Sequence, residues 1–234
     1  MIQFVSLGPG DPELITLKAL KALQQADMIF CPTTVTLSLR GENHYASRSV
    51  EIVKSLDVDQ KRICSLLIPM CRDRSIVKRI YELHAAQLCK PENRSLHIVV
   101  AAEGDAGFYS SVHYLMDQIR EKGVEVEQIA GVPAFIAAGA KAQLHIVKQK
   151  ERLMVIPGDT TDLDLMKWVE DGYTVVVMKL NACQSAVQRC MEHHPNYSYF
   201  YFENLGMPQE QCVTDVERLS SMTYPYFSLM IIRK

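Results

Sequence analysis

What the sequence does not contain narrows it first. No apolar run approaches the roughly 20 residues that span a membrane. The amino terminus has no basic segment followed by an apolar one, the pattern of an export signal. A membrane partner is therefore not expected, and the expected compartment is the cytoplasm. The seven cysteines (Cys31, Cys64, Cys71, Cys89, Cys183, Cys190, Cys212) are odd in number and never fall as C-x-x-C. Several stand inside apolar runs, where a free thiol behaves as a small core residue, so neither a disulfide framework nor zinc is expected. The histidines are scattered, and His193-His194 before Pro195 reads as a solvated helix end. No protein-bound metal is expected. Low-complexity segments are also lacking. Two phosphate motifs are absent: a dinucleotide fingerprint needs a glycine where Glu13 stands, and a P-loop needs Gly-Lys-Ser/Thr, which does not occur.

What remains is a chain of 234 residues, 48% hydrophobic and 22% charged, enough for a full core. Its length fits two α/β halves of roughly 100 to 120 residues each, with a division expected between residues 122 and 123, at Lys122-Gly123. The first half, 1–122, alternates strand and helix. Ile2 to Leu7 reads as a strand, and Leu14 to Leu23 has helical spacing. Asp27 to Cys31 reads as a short strand ended by Pro32. A polar segment from Thr33 to Gln60 contains a helical stretch from Tyr45 to Leu56. Ile63 to Ile68 is apolar and stops at Pro69, Ser75 to Cys89 has helical spacing, and Leu96 to Ala102 fits a parallel strand buried on both faces. In the second half, 123–234, strands are expected at Val124 to Ile129, Leu153 to Ile156, Tyr173 to Met178, Tyr197 to Phe202 and Tyr226 to Ile232. Helices are expected from Ala134 to Ala142, Asp162 to Val169 and Cys183 to Glu192. The weak alternation of Tyr197 to Phe202 fits a strand near the edge of a mixed sheet.

The first strand runs into Gly8-Pro9-Gly10-Asp11-Pro12, a strand-to-helix turn in which Asp11 is the natural N-cap and Pro12 occupies N1. Two glycines leave little side-chain bulk at a strand's carboxyl end, where ligands of open α/β sheets sit. The central strand runs into a second such turn, Glu103-Gly104-Asp105-Ala106-Gly107-Phe108-Tyr109, with a helix taking over near Val112. Two glycine turns in one domain would lie side by side along the sheet edge. Glu103 and Asp105 there suit a cationic or hydroxyl-rich ligand better than a phosphate. Two ordinary capped loops would carry the same residues.

Six stretches in order, GPGDPELITLKAL, EGDAGFYSS, AGVPAF, VVVMKLN, FENLGMPQE and PYFSLMIIRK, resemble the successive motifs of the tetrapyrrole methylases. The resemblance covers nearly the whole chain. His44 to Arg48, Leu67 to Met70, Glu203 to Pro208 and Tyr226 to Leu229 are most similar to its C-20 branch, which acts on precorrin-2 or cobalt-factor II in cobalamin biosynthesis. The resemblance implies two α/β domains, a mainly parallel sheet in the first and a mixed one in the second. It implies S-adenosylmethionine in a cleft between them, a tetrapyrrole trough belonging to the first domain, and a homodimer. By motif, cofactor contacts fall on Pro9, Glu103, Gly104, Asp105, Phe108, Pro133, Ala134, Met178, Leu205, Gly206, Pro225 and Tyr226. Substrate contacts fall on Asp11, Arg40, Arg48 and Tyr109. Two departures stand out: Ala106 replaces the family's proline after Gly-Asp, and Pro133 replaces a hydroxyl residue. No general base is assignable.

Charge offers a separate check on an acidic substrate. Residues 40 to 79 hold nine Lys/Arg against five Asp/Glu, a local +4 in a chain of net −2, which leaves −6 elsewhere. Such a segment fits capture of a polycarboxylate through Arg40, Arg48, Arg72 or Arg74; a solvated helix face fits as well. Net acidity disfavours a nucleic-acid partner. The fold alone leaves other acceptors open: another tetrapyrrole carbon, ribosomal RNA, a protein residue, or cofactor binding without turnover.

Overall fold

A computed structural model describes residues 1–37, 43–69 and 73–234. The chain divides into two compact units, Met1–Pro133 and Ala134–Lys234.

The first unit is built on β1 (Ile2–Ser6), β2 (Met28–Leu37), β3 (Asn43–Ala46), β4 (Ile63–Pro69), β5 (Ile98–Ala102) and β6 (Val126–Ile129). The order is β3-β2-β5-β1-β6, with β4 also on β2; every pairing is parallel except β2 with β3. Every residue of β1 and β5 is buried, and in β5 a continuous apolar run meets helices on both faces. The helices are α1 (Leu17–Gln25), α2 (Arg48–Ser55), α3 (Arg74–Leu88) and α4 (Val112–Glu121). Val77, Tyr81, Ala85 and Leu88 of α3 and Val112, Leu115, Met116 and Ile119 of α4 pack with β1 and β5 in one core.

Four expectations change here. Asp11 caps a 3-10 turn, Pro12–Leu14, with its carboxylate accepting from Glu13 N at 2.9 Å. The true helix begins at Leu17 under a different cap, Thr16, whose hydroxyl accepts from Ala19 N at 3.2 Å. Pro32 does not end β2. Among the described residues it pairs only with Leu66 of β4, because on β2's other edge β5 stops at Phe30 and β3 starts at Thr34, so no ladder on that edge needs the amide proton that proline lacks. The polar segment after it first continues β2 to Leu37 and then supplies the antiparallel strand β3, and its helix starts only at Arg48, behind the N-cap Ser47. Strand β6 pairs with β1, so the division lies beyond it and not at Lys122-Gly123.

The second unit comprises α5 (Ala134–Lys141), β7 (Arg152–Ile156), α6 (Asp162–Glu170), β8 (Tyr173–Met178), α7 (Gln184–His193), β9 (Ser198–Glu203), β10 (Gln211–Val213), α8 (Val216–Ser221) and β11 (Ser228–Arg233). Its sheet runs β10-β9-β11-β8-β7, parallel only between β7 and β8, hence mixed. β9 lies one strand in from the edge, where weak alternation had put it. The short β10 and α8 carry too few apolar residues for periodicity to reveal them. Among the described residues no helix is long and apolar enough to cross a membrane.

Candidate functional site

In the first unit the two glycine turns meet. Gly8 N donates to Gly104 O at 3.1 Å, and Gly104 N donates back to Gly8 O at 2.7 Å, a bridge just beyond the carboxyl ends of β1 and β5. Gly8 and Gly104 have φ of +78° and +70°, a region that favours glycine. A Cβ on Gly104 would meet no other described atom within 4 Å, so the turn faces open space there. By contrast, Gly131 is a packing glycine, since a Cβ would lie 2.5 Å from Ser6 Cβ and 2.8 Å from Gly104 O.

Asp105 spends both carboxylate oxygens on backbone. Oδ1 accepts from Gly107 N at 2.8 Å, and Oδ2 accepts from Gly131 N at 2.7 Å, reaching past β1 to the loop after β6. Ser6 makes a second tie among the same strands, donating to Ile129 O at 2.7 Å and accepting from Ala106 N at 2.8 Å. The departure at Ala106 thereby has a structural use, because a proline would offer Ser6 no N–H. Ser6 was missed in the sequence, although a lone hydroxyl closing an apolar strand is a visible signal.

Glu103 is different. Its carboxylate is paired with Arg48 of α2, Nε to Oε1 at 3.2 Å, with side chains 25% and 13% exposed. Burial pushes the Glu103 carboxyl up to about 7, Arg48 pulls it the other way, and Glu51 adds to the rise. Burial also lowers the Arg48 guanidinium, against the pull of Glu103. Phe108 and Tyr109 follow with rings in edge contact at 4.7 Å, and Tyr109 is 41% exposed at φ +50°. Pro9 directly follows the bridged Gly8, and Asp11 is held at its 3-10 turn. Arg40 and Arg72 lie outside the described residues.

The second unit gathers its candidates at one end of its sheet. Met178 ends β8 opposite Leu229 of β11, while Ser228 stands opposite Glu203 at the end of β9. Lys179 N donates to Ser228 O at 3.0 Å and Asn204 N to Phe227 O at 3.0 Å, so Met178, Leu205-Gly206 and Pro225-Tyr226 share that end. Gly206, at φ +73°, donates its amide to Glu210 Oε2 at 2.8 Å, and Glu210 pairs with Lys141 of α5 at 2.6 Å. Lys179 takes a left-handed backbone at φ +56° and sets its Nζ 5.6 Å from the centre of the Tyr226 ring. No sequence signal marked Lys179. Pro133 closes the first unit and Ala134 opens α5. The buried Cys31 and Cys183 lie in the apolar cores, where burial pushes their thiols up to about 12 and about 11. A small pocket lined by Met1, Ile2, Leu88, Cys89, Lys90, Asn93, Arg94 and Val124 opens at the amino ends of the first sheet, away from the glycine turns.

The profile of the Tetrapyrrole (Corrin/Porphyrin) Methylases matches residues 1–220. The chain is 33% identical over 175 residues to a probable cobalt-precorrin-2 C(20)-methyltransferase of Methanocaldococcus jannaschii, covering 75% of this chain and 70% of that one. It is 25% identical to the precorrin-2 C(20)-methyltransferase of a Sinorhizobium species, over 97% of this chain and 93% of the other. The fold is similar to that of uroporphyrin-III C-methyl transferase from Thermus thermophilus, solved in complex with S-adenyl homocysteine. That likeness has a TM-score of 0.63 at 18% identity, with 100% of this chain and 97% of that one covered.

Proposed function

The chain belongs to the tetrapyrrole (corrin/porphyrin) methylases, and from that premise we propose that it methylates C-20 of precorrin-2 or cobalt-factor II, as a step of cobalamin biosynthesis. The observation that carries the ring position is the C-20 assignment shared by both curated relatives over most of this chain. The donor in this reading is S-adenosylmethionine, whose sulfonium supplies an activated methyl group, so the protein needs no nucleophile of its own. Placement and exclusion of water are the protein's task.

The residues present fit such a donor. The open space over Gly104 admits a ligand up to the backbone, and the neighbouring acid at Glu103 suits a cation. Asp105 contributes by holding the turn rather than by offering its carboxylate, given its two backbone bonds. In the second unit, the thioether of Met178 and the half-exposed ring of Tyr226 offer apolar and π surface for an adenine. Pro9, Phe108, Pro133, Ala134, Leu205, Gly206 and Pro225 complete the proposed donor contacts. Asp11, Tyr109 and Arg40 are the proposed substrate contacts, and a homodimer is the proposed assembly, checked by light scattering.

The test uses S-adenosylmethionine carrying a labelled methyl carbon, with metal-free and cobalt-loaded substrate in parallel, and NMR of the product. Label at C-20 is expected. Label at another ring carbon, or on RNA or protein, would falsify the assignment, and the faster of the two incubations identifies the substrate.

A further inference from the structure

We propose that Arg48 is a positioning residue for the methyl donor: its guanidinium pairs with the Glu103 carboxylate and keeps it in place beside the Gly8–Gly104 bridge. This rests on the reading that the donor binds at that turn, and it replaces the expectation that Arg48 meets a substrate carboxylate.

The argument is geometric. Arg48 is the first residue of α2, and that first turn is fixed to β2 by two hydroxyls: Ser47 donates to Pro32 O at 2.7 Å and Ser49 to the same oxygen at 3.3 Å. Arg48 therefore projects from an anchored point. Its Nε lies 3.2 Å from Glu103 Oε1 and only 13% of its side chain is exposed, which leaves little guanidinium for a carboxylate arriving from solvent. Glu103 directly follows the buried strand β5 and precedes the bridged Gly104, so its carboxylate and that of Asp105 flank the bridge along the chain. Among the described residues its charged neighbours are Arg48 and Glu51, both on α2, while the Asp105 oxygens are bound to the Gly107 and Gly131 amides. Of these, Arg48 alone favours the ionised form. A cationic donor is drawn by that ionised form, so loss of Arg48 would weaken donor binding through Glu103 rather than through a contact of its own.

Calorimetric titration of S-adenosylmethionine across mildly acid to mildly alkaline pH tests this. Wild-type affinity should rise as pH passes about 7. Arg48→Met should move that rise toward alkaline pH by about one pH unit or more, and Arg48→Lys should restore most of the shift. Glu103→Gln should weaken binding and flatten the profile. Arg48→Met leaves a buried acid without its partner and can fail to fold, so the double variant R48M/E103Q, which removes both charges, is compared with E103Q. Equal affinities support the proposal, and a further loss overturns it. A Glu103→Gln variant with wild-type affinity overturns the placement of the donor at this turn, and the proposal with it. A weakened Glu103→Gln beside an unmoved Arg48→Met profile and a raised tetrapyrrole KM overturns the proposal alone, returning Arg48 to the substrate.

Discussion

Gly104 shows how conformation and ligand access can be separated at one residue. Its φ of +70° strains most side chains by roughly 1–2 kcal/mol, and its missing Cβ faces open space. Asparagine tolerates the left-handed region, so Gly104→Asn should fold normally and still fill the proposed donor space. A loss of S-adenosylmethionine affinity of about tenfold or more, roughly 1.4 kcal/mol, is expected by calorimetry; Gly104→Val adds backbone strain to the same obstruction. Unchanged affinity in a folded Gly104→Asn variant would take the donor away from this turn. Ser6 supplies the complementary case, a residue that builds the site without facing a ligand. Ser6→Ala strands a buried carbonyl at Ile129 and a buried amide at Ala106. A destabilisation of about 1–3 kcal/mol is expected in urea unfolding, with donor affinity falling only as the turn loosens.

At the level of elements, the first helix tests two caps against each other. Thr16→Ala removes the acceptor for Ala19 N at the start of α1 and should cost about 1 kcal/mol. Asp11→Ala removes only the cap of a short, half-exposed turn, and thermal unfolding should change by under about 0.5 kcal/mol. If Asp11 meets the tetrapyrrole, the same variant raises the substrate KM at unchanged stability. Most elements were legible because the buried runs, such as Ile98–Ala102, have one reading in an α/β chain. The failures have local causes. Pro32 sits within a strand because the neighbours on one edge leave a gap opposite it, which depends on where β5 stops and β3 starts. The helix start was misplaced because Asp11-Pro12 and Thr16 are both good caps, and only tertiary packing chooses between them. That the two glycine turns lie along one sheet edge was legible, since both follow strands of one parallel sheet; that β1 and β5 are neighbours, so that the turns bridge, was not. The Arg48–Glu103 pair was not, because it joins residues far apart in the chain with no periodicity to link them.

Over the whole molecule, the uneven charge distribution makes a prediction that the structure sharpens. The basic stretch from 40 to 79 carries a local +4, but several of its cations are already engaged. Arg48 pairs with Glu103, Arg79 with Glu82 at 3.1 Å, and Arg62 donates to the carbonyls of Gln24 and Ala26 at 3.1 Å each. Arg62→Ala should therefore lower stability, by leaving those carbonyls without a donor, while the substrate KM stays close to wild type. What remains for a polycarboxylate is diffuse attraction together with Arg40 and Arg72, which lie outside the described residues, and Arg74, whose side chain does too. Diffuse attraction between exposed charges is screened over about 8–10 Å at ordinary ionic strength. Added salt should then raise the tetrapyrrole KM progressively and change kcat little, and Arg40→Ala should blunt the salt response as well as raise KM. Donor affinity should move far less with salt, because the charge proposed to attract the sulfonium is the half-buried Glu103. Kinetics at several salt concentrations, run beside calorimetry of the donor, separate the two. Equal salt sensitivity of substrate and donor would mean that the basic stretch is a solvated face and that the polycarboxylate is captured elsewhere.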